Sequence, residues 1–292
     1  MHIVTSVHRT GYTVNIDGKP EFCIINNSFK GDERPVVGDF VTVERVGDQI
    51  LITGIAPRRN YIGRYDHYKD KYQGFAANVD TIFVVTSANK EFSSHRLRRF
   101  LTLSGGQDID KVVVLTKIDE NKKGYGKYVK IIENEFPGVR IVAINALDKK
   151  QVEGLLEYTG EDSTVLLLGS SGVGKSTIIN TLCGLVIKTK ETQCERFANR
   201  GKHTTSSRNL YFSDYGIKII DVPGVRIVGV ESEVARASEI FDKIEELAFK
   251  CKYTNCRHLT EDRCMVKQAI ADGNLTQAEL DNYNRVVHGS ER

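Results

Sequence analysis

The sequence contains no stretch that is long and apolar enough to cross a membrane. Its apolar runs, such as Val112–Leu115 and Val165–Leu168, are far shorter than the ~20 residues that a membrane-spanning helix needs. Residues Met1–Val4 also lack the basic segment followed by an apolar one that begins an export signal. Hydrophobic residues make up 40% and charged residues 27%, which is typical of globular proteins. We therefore expect a cytoplasmic protein without a membrane partner.

The chain also lacks a strong excess of one charge. It has 41 Lys and Arg against 38 Asp and Glu, which gives a formal net charge of +3. Proteins that bind nucleic acids mainly through charge are more basic than this. Composition thus permits an RNA partner without requiring one. Internal repeats and low-complexity segments are absent, and 292 residues can form one large core or two to three modest domains.

The first 62 residues have the pattern of an all-β domain. Short β-branched or alternating runs are separated by turn signals, as at Asp17–Pro20. The predicted strands are Ile3–Val7, Tyr12–Ile16, Glu21–Ile25, Asp39–Val46 and Gln49–Ile55. Five short strands in this length indicate an OB-type barrel, a fold that often binds nucleic acids or proteins. A folded β-domain of unknown role is the alternative.

A polar segment rich in tyrosine follows the predicted barrel and ends near Gly74. It interleaves basic side chains with aromatic ones: Arg58, Arg59, Arg64, Lys69, Lys71, Tyr61, Tyr65, Tyr68 and Tyr72. This mixture suits RNA, because bases stack on aromatic rings and phosphates pair with cations. A solvated linker with some packed tyrosines fits the pattern equally well.

From Val79 onwards the predicted strands and helices alternate, which indicates a mainly parallel α/β sheet. The predicted strands are Asp80–Thr86, Lys111–Thr116, Val139–Ile144, Thr164–Leu168, Asn209–Phe212 and Ile217–Asp221. The predicted helices are Ser94–Leu103, Tyr128–Phe136, Lys149–Tyr158 and Lys175–Leu182. The rest of the chain is predicted to be helical, with Glu233–Phe249, Cys264–Asp272 and Thr276–Val287. The expected domains are therefore 1–62, 63–229 and 230–292.

A phosphate-binding loop lies between a predicted strand and a predicted helix, and it matches G-x4-G-K-S/T in full. Its residues are Gly169, Ser170, Ser171, Gly172, Val173, Gly174, Lys175, Ser176 and Thr177. The glycines let successive backbone N–H groups face phosphate oxygens, and the following helix adds its positive end. Lys175 can reach the β- and γ-phosphates of a nucleotide, and the Ser176 hydroxyl can bind Mg²⁺.

Two further segments complete a predicted magnesium site. Asp221-Val-Pro-Gly224 follows a predicted strand and has the D-x-x-G form, in which Asp221 holds Mg²⁺ through water and the Gly224 N–H senses the γ-phosphate. The segment 200–206 lies between the two motifs and contains a Thr-Thr pair. Thr204 or Thr205 is expected to complete the magnesium shell, and the sequence does not choose between them.

The choice of purine is predicted from a stretch that resembles the guanine signature N/T-K-x-D. It consists of Thr116, Lys117, Ile118 and Asp119. The Asp119 carboxylate would accept from the N1–H and the 2-amino group of guanine, a donor pair that adenine lacks, and Lys117 would lie across the base. After the next predicted strand come Asn145 and Ala146. The Ala146 N–H is expected to make the last guanine contact.

These motifs run in an unusual order. In ordinary GTPases the phosphate loop comes first, whereas here the guanine signature precedes it and D-x-P-G comes last. A circular permutation preserves the geometry of the site, because chain ends usually lie close together at the surface. D-x-P-G is then joined directly to the C-terminal domain. Our hypothesis is that a γ-phosphate-dependent shift near Gly224 moves that domain.

Val225 follows Gly224, where many GTPases have the glutamine that orients the attacking water. Valine cannot form a hydrogen bond with water through its side chain. His203, beside the Thr-Thr pair, is the internal candidate, because imidazole can orient water or accept its proton. A partner could supply the residue instead. In both cases we expect slow basal turnover that a partner stimulates.

Three cysteines and a histidine near the C-terminus have the spacing C-x4-C-x-H-x5-C. They are Cys251, Cys256, His258 and Cys264. Four such ligands and no free position predict one structural, tetrahedral Zn²⁺, whose excess negative charge the nearby Lys250, Lys252, Arg257 and Arg263 would offset. Reduced cysteines without a metal are the alternative. Cys23, Cys183 and Cys194 are expected to be packing or surface residues.

Together these motifs resemble one family, the circularly permuted, small-ribosomal-subunit-dependent GTPases (the RsgA/YjeQ group). The resemblance covers essentially the whole chain and rests on G-S-S-G-V-G-K-S-T, R-G-K-H-T-T, D-V-P-G and the cysteine spacing. It implies an OB barrel, a permuted P-loop GTPase core and a C-terminal zinc domain, with GTP or GDP, Mg²⁺ and Zn²⁺ as ligands. It also implies GTP hydrolysis that the small ribosomal subunit stimulates, a role in late maturation of that subunit with contacts to its rRNA, and a catalytic role for His203.

Two positions depart from the family pattern, since Thr116 replaces the usual Asn and Asn145 the usual Ser. We expect these changes to alter guanine affinity somewhat. Two other functions remain open at this point. One is an RNA-binding adaptor in which nucleotide only rigidifies the core, and the other is a P-loop ATPase. A monomer is the default expectation.

Overall fold

The computed structural model describes residues 1–292 except 27–28, 30–33, 67–70, 104–106, 123, 186–207, 223–239, 241–242, 245, 249, 254–255, 260 and 288–292. Several predictions fall on residues outside this description. They concern His203, Thr204, Thr205, Gly224, Val225, Cys194 and most of the predicted helix at 233–249.

The N-terminal residues form the predicted five-stranded barrel. Its strands are β1 His2–Val7, β2 Tyr12–Ile16, β3 Lys19–Ile25, β4 Phe40–Val46 and β5 Gln49–Ile55. β1 pairs antiparallel with β2, β2 with β3 and β4 with β5, whereas β3 and β5 are parallel. An antiparallel pairing of β1 with β4 closes the barrel, which is the OB arrangement. Val4, Val14 and Ile52 are fully buried inside it, and so is Cys23.

One turn of the barrel is tighter than predicted, because β3 starts at Lys19 and not at Glu21. Asp17 and Gly18 both have positive φ, 50° and 84°. Two consecutive residues with positive φ make the two-residue hairpin turn that suits the twist of antiparallel strands. Lys19 therefore pairs directly with Ile16.

The tyrosine-rich segment is a β-hairpin and not a linker. It consists of β6 Tyr61–Asp66 and β7 Lys71–Ala77, which are antiparallel. Gly74 lies under the Tyr61 ring, which a Cβ at this position would overlap. Ile62 and Phe75 are buried in the same apolar cluster as the central sheet. The hairpin is thus part of the core, and it spans the expected boundary between residues 62 and 63.

The central sheet has the predicted α/β architecture. Its strands are β8 Thr81–Ser87, β9 Asp110–Thr116, β10 Arg140–Ala143, β11 Thr164–Leu168, β12 Asn209–Phe212 and β13 Lys218–Asp221. They lie in the order β10-β9-β8-β11-β13-β12, and every pairing is parallel except that of β12 with β13. All residues of β8 and β11 are buried, as expected for strands that are covered on both faces.

Helices cover both faces of this sheet. They are α1 Ser94–Thr102, α2 Gly126–Glu135, α3 Lys149–Glu153 and α4 Lys175–Cys183. Leu97 and Ile132 of the first two helices pack on one face, and Val152 and Ile178 of the other two on the opposite face. The predicted helix at 149–158 ends as an α-helix at Glu153 and continues as a 3₁₀ helix, Gly154–Tyr158. Glycine at the start of that continuation is a poor α-helix former.

The barrel and the central sheet are joined by one strand pairing. Ser6 of β1 lies opposite Asn209 of β12, so that an eleven-stranded sheet runs from β10 into the barrel.

The C-terminal residues form a separate small core. It contains α5 Met265–Ala271, α6 Gln277–Val287 and helical turns at 240, 243–244 and 246–248. Ile244, Val266 and Leu280 are buried together. Both helices start one residue later than predicted, because Cys264 and Thr276 cap them by accepting the Lys267 and Glu279 N–H groups. Among the helices that the structure describes, none has the length and apolar character to span a bilayer.

Candidate functional site

The predicted nucleotide motifs meet at one edge of the central sheet. Parallel strands end at the same edge, and the register aligns Leu167 with Asp221, Leu168 with Val84, and Ser87 with Thr116. The phosphate loop, the guanine signature and Asp221 therefore leave the sheet side by side. In open α/β sheets, ligands bind at this carboxyl edge.

The phosphate loop has a backbone that only glycine adopts readily. Gly169, Gly172 and Gly174 have φ of 152°, 84° and 102°, and α4 begins directly after Gly174. A Cβ at Gly169 would overlap the Val85 carbonyl oxygen. The loop thus packs closely on β8 and directs the start of α4 toward the carboxyl edge.

Lys175 and Asp221 are two partly buried, opposite charges that act on each other. Lys175 Nζ donates to the carbonyl oxygens of Gly169 and Ser170 at 2.7 and 2.8 Å. Burial lowers the pKa of Lys175 and raises that of Asp221, and in each case the charge of the other residue opposes the shift. Asp221 Oδ1 is buried and has no hydrogen-bond partner in the described part of the chain. A hard cation such as Mg²⁺ would supply what this carboxylate oxygen lacks, so the residues fit the predicted magnesium site.

Thr116 fixes the guanine signature to the phosphate loop. Its side chain is fully buried, and its hydroxyl lies 2.6 Å from the Val173 carbonyl and 3.0 Å from that of Thr86. A Cβ on Gly174 would lie 3.6 Å from Ala146 and 3.7 Å from Thr116. The segments that were predicted to contact base and phosphates are therefore in mutual contact.

In the guanine signature, the Asp119 carboxylate is available to bind a ligand. Lys117 has a positive φ of 59°, and its Nζ lies 3.5 Å from Glu120 Oε1. Ile118 packs against the core. The Asp119 carboxylate forms no hydrogen bond with any residue that the structure describes. It is therefore unengaged and able to accept from a base.

Asn145 shapes the loop that carries Ala146. Its Oδ1 accepts from the Leu147 N–H at 2.9 Å, and its own N–H donates to Gln151 Oε1 at 2.8 Å. The Ala146 N–H has no partner within the described ranges and can therefore donate to a ligand. The sequence had not pointed to Gln151 or to Glu120, whose carboxylate also accepts from Asn89 at 3.0 Å. Both lie close in sequence to predicted site residues, but no motif marks them.

The cysteine cluster has the dimensions of a zinc site. The ligand atoms of Cys251, Cys256, His258 and Cys264 all lie within 4.8 Å of one another. Cys251 Sγ is 3.8 Å from both Cys264 Sγ and His258 Nδ1. Tetrahedral coordination with Zn–S bonds of about 2.3 Å places sulfur atoms about 3.8 Å apart.

The thiols of the cluster need a bound cation to be deprotonated. The backbone N–H groups of Met265 and Lys267 lie 3.3 and 3.5 Å from the sulfur atoms of Cys251 and Cys264. Burial and the neighbouring thiols raise the pKa of Cys256 to about 12. A bound divalent cation offsets these effects by stabilising the negative charge of the thiolate, so a coordinating thiol is deprotonated. The chemistry of the four residues therefore fits Zn²⁺.

Comparison with known proteins identifies the family. The profile described as RsgA GTPase matches residues 55–231. A protein of Xanthomonas euvesicatoria pv. vesicatoria (strain 85-10), named small ribosomal subunit biogenesis GTPase RsgA, is 35% identical over 294 residues, which cover 97% of this chain and 78% of that protein. The chain belongs to the RsgA GTPase family. The protein of the same name from Xanthomonas axonopodis pv. citri (strain 306) is 36% identical over the same lengths.

Solved structures agree with the RsgA GTPase assignment at the level of fold. The crystal structure of YjeQ from Thermotoga maritima aligns with a TM-score of 0.57 at 22% identity and covers 100% of this chain and 98% of its own. YloQ, described as a circularly permuted GTPase, aligns with a TM-score of 0.53 at 24% identity and covers 98% and 93%. The predicted permuted fold is thus confirmed. As an RsgA GTPase the chain hydrolyses GTP, which sets aside the alternative of an ATPase.

Proposed function

We propose that this GTPase binds the small (30S) ribosomal subunit and acts in its late maturation. The relatives that match it over most of its length are named for small ribosomal subunit biogenesis. The convergence of Lys175, Asp221 and Asp119 at one sheet edge supports the GTP chemistry this role requires. We also propose that the protein is a cytoplasmic monomer and that it contacts rRNA.

In the proposed site the protein holds the nucleotide from two sides. Lys175 and the N–H groups of the phosphate loop bind the phosphates. Asp119, Lys117 and the Ala146 N–H bind guanine. Mg²⁺ neutralises charge on the phosphate oxygens when bound, and Ser176, Asp221 and one of Thr204 or Thr205 would hold it.

The attacking water needs a residue that the described part of the site does not contain. His203 or a residue of the partner would orient it, since Val225 cannot. Coupling to the partner would run through the C-terminal zinc domain, which follows D-x-P-G directly. In this proposal the chain divides into a barrel (1–62), a GTPase core (63–229) and a zinc domain (230–292), and the β6–β7 hairpin crosses the first of these boundaries and packs with the core.

The substitution Asp119→Asn tests whether Asp119 recognises the guanine base. An amide offers both an acceptor and a donor, so it loses one hydrogen bond to guanine and matches xanthine better. We expect GTP affinity to fall by about 10- to 100-fold, the effect of losing a hydrogen bond to a charged group, while XTP affinity rises. Calorimetric titration with both nucleotides measures this. The exposed Asp108→Asn is the matched control, and an unchanged GTP/XTP ratio in Asp119→Asn would refute the assignment.

The proposed partner is tested by GTP hydrolysis with and without purified small subunits. We expect them to raise kcat, because the isolated chain lacks a glutamine after Gly224. His203→Ala should lower the stimulated rate if this histidine orients the water. An RNA-binding adaptor would instead show changed nucleotide affinity and little change in rate. Fast basal hydrolysis that is equal in His203→Ala would contradict the proposal.

A further inference from the structure

Three residues in a row across neighbouring strands connect the barrel to the proposed magnesium site. Ser6 of β1 lies opposite Asn209 of β12, and Asn209 lies opposite Asp221 of β13. Directly opposed residues on antiparallel strands project to the same face of the sheet. We call Ser6, Asn209 and Asp221 the junction row. We propose that Ser6 and Asn209 are positioning residues through which the barrel sets the place of the Asp221 carboxylate. This inference rests on the proposed role of Asp221 toward Mg²⁺.

Hydrogen bonds run along the junction row from the barrel side. The buried Ser6 hydroxyl lies 2.8 Å from Asn209 Oδ1, to which it donates, and 3.2 Å from the Arg208 carbonyl oxygen. The Asn209 side chain is also hydrogen-bonded to the Tyr211 hydroxyl. This bond opposes the rise that burial causes in the pKa of Tyr211, so the Asn209 amide nitrogen is the donor and the phenol oxygen accepts. The two bonds fix the Asn209 side chain at both ends.

Tyr211 brings this chain of bonds close to the carboxylate. It lies two residues along β12 from Asn209, on the same face, and the charge of Asp221 acts on its phenol group. Asp221 Oδ1 itself has no hydrogen-bond partner in the described ranges. Its position therefore depends on β13 and on the side chains that pack beside it. Those side chains are held by the barrel.

The hairpin also holds Arg208, the residue that directly precedes β12. Arg208 Nη1 donates to the Gly74 carbonyl oxygen at 3.2 Å, and the Arg208 guanidinium lies 5.7 Å from the centre of the Phe75 ring. Arg208 comes three residues after Thr205 in the sequence. The barrel and hairpin thus hold the strand that links the Thr-Thr segment to Asp221. By thermodynamic reciprocity, a partner that moves the barrel strand changes Mg²⁺ affinity, and Mg²⁺ changes the affinity for that partner.

The test measures Mg²⁺ dependence of nucleotide release and not hydrolysis. Full-length protein is loaded with a fluorescent GDP analogue, and the release rate is recorded against free Mg²⁺. Ser6→Ala and Asn209→Ala should each raise the half-effective Mg²⁺ concentration by about 3- to 10-fold, the range for one lost hydrogen bond. The double variant should show no more than the Asn209→Ala effect, because Ser6 acts through its bond to Asn209. Thr5→Val is the matched control and should leave the value unchanged, since the one partner of the Thr5 hydroxyl among the described residues is the Thr13 carbonyl of the barrel.

The outcomes separate this inference from the function on which it rests. Thermal unfolding of each variant reports its folding. A Ser6→Ala protein that is less stable but keeps the wild-type Mg²⁺ concentration would show that the bond is structural only, which overturns the inference. Asp221→Ala should abolish the Mg²⁺ dependence. If it does not, the proposed magnesium site itself is wrong.

Discussion

Replacement of Lys175 by methionine is expected to lower kcat/KM for GTP by about 10²- to 10³-fold. Methionine keeps the length and apolar stem of the side chain but removes its charge. In the structure the ammonium group bridges the Gly169 and Ser170 carbonyl oxygens at the mouth of the phosphate loop. It is the cation best placed to meet charge that develops on the transferred phosphoryl group, so its loss acts mainly on the transition state.

Steady-state kinetics and nucleotide titration together test this prediction. If the lysine acts chiefly in the transition state, kcat falls more than GTP affinity does. Lys149→Met is the matched control, because Lys149 is 70% exposed on α3 and pairs only with Glu153 there. If Lys175→Met and the control have the same kcat/KM, the proposed role of the phosphate-loop lysine in catalysis is wrong.

Cys256→Ser is expected to abolish zinc binding and to unfold the C-terminal unit while the GTPase core stays folded. Structural zinc contributes about 10–16 kcal/mol to the folding of small domains, far more than the small core around Ile244, Val266 and Leu280 can replace. Cys256 is the cleanest ligand to change, since Cys264 also caps α5. Among the described residues of this unit, none belongs to the apolar clusters of the central sheet, so nucleotide binding should persist.

Metal analysis measures the loss of zinc, and limited proteolysis measures the unfolding of the C-terminal unit. Wild-type protein should contain one zinc per chain, and Cys256→Ser none, with rapid cleavage confined to the C-terminal residues. Cys23→Ala is the control, because this cysteine is buried in the barrel and lies in a different cluster. One zinc per chain in Cys256→Ser would contradict the four-ligand site.

The features that the sequence predicted correctly are those that local chemistry determines. The glycines of the phosphate loop, the cysteine spacing and the turn signals of the barrel each constrain only nearby residues, and the structure has all three. The alternation of strands and helices likewise predicted the parallel sheet. The order of motifs predicted the permutation, because it is visible without knowing any contact.

What could not be predicted depends on distant partners. In sequence, the polar, tyrosine-rich segment fits either an RNA-binding stretch or a solvated linker, and only the packing of Ile62 and Phe75 against the central sheet reveals a hairpin at Tyr61–Ala77. The sequence predicts that Thr116 alters guanine affinity somewhat, but it does not show that the Thr116 hydroxyl bonds the carbonyl of Val173, 57 residues away. Nothing in the sequences of β1 and β12 indicates that Ser6 pairs with Asn209.

That last pairing also bears on how the chain assembles during synthesis. The barrel strands are contiguous in the first 55 residues, and β8, β9 and β10 become neighbours in the order in which they are made. β12 and β13 come last, and they fill the gap between two parts that already exist, across a separation of 203 residues. Closing so long a loop is slow compared with local pairing. The nascent protein therefore acquires the strand that leads into the guanine signature well before Asp221 is in place, and the proposed magnesium site is complete only after β13 has joined the sheet.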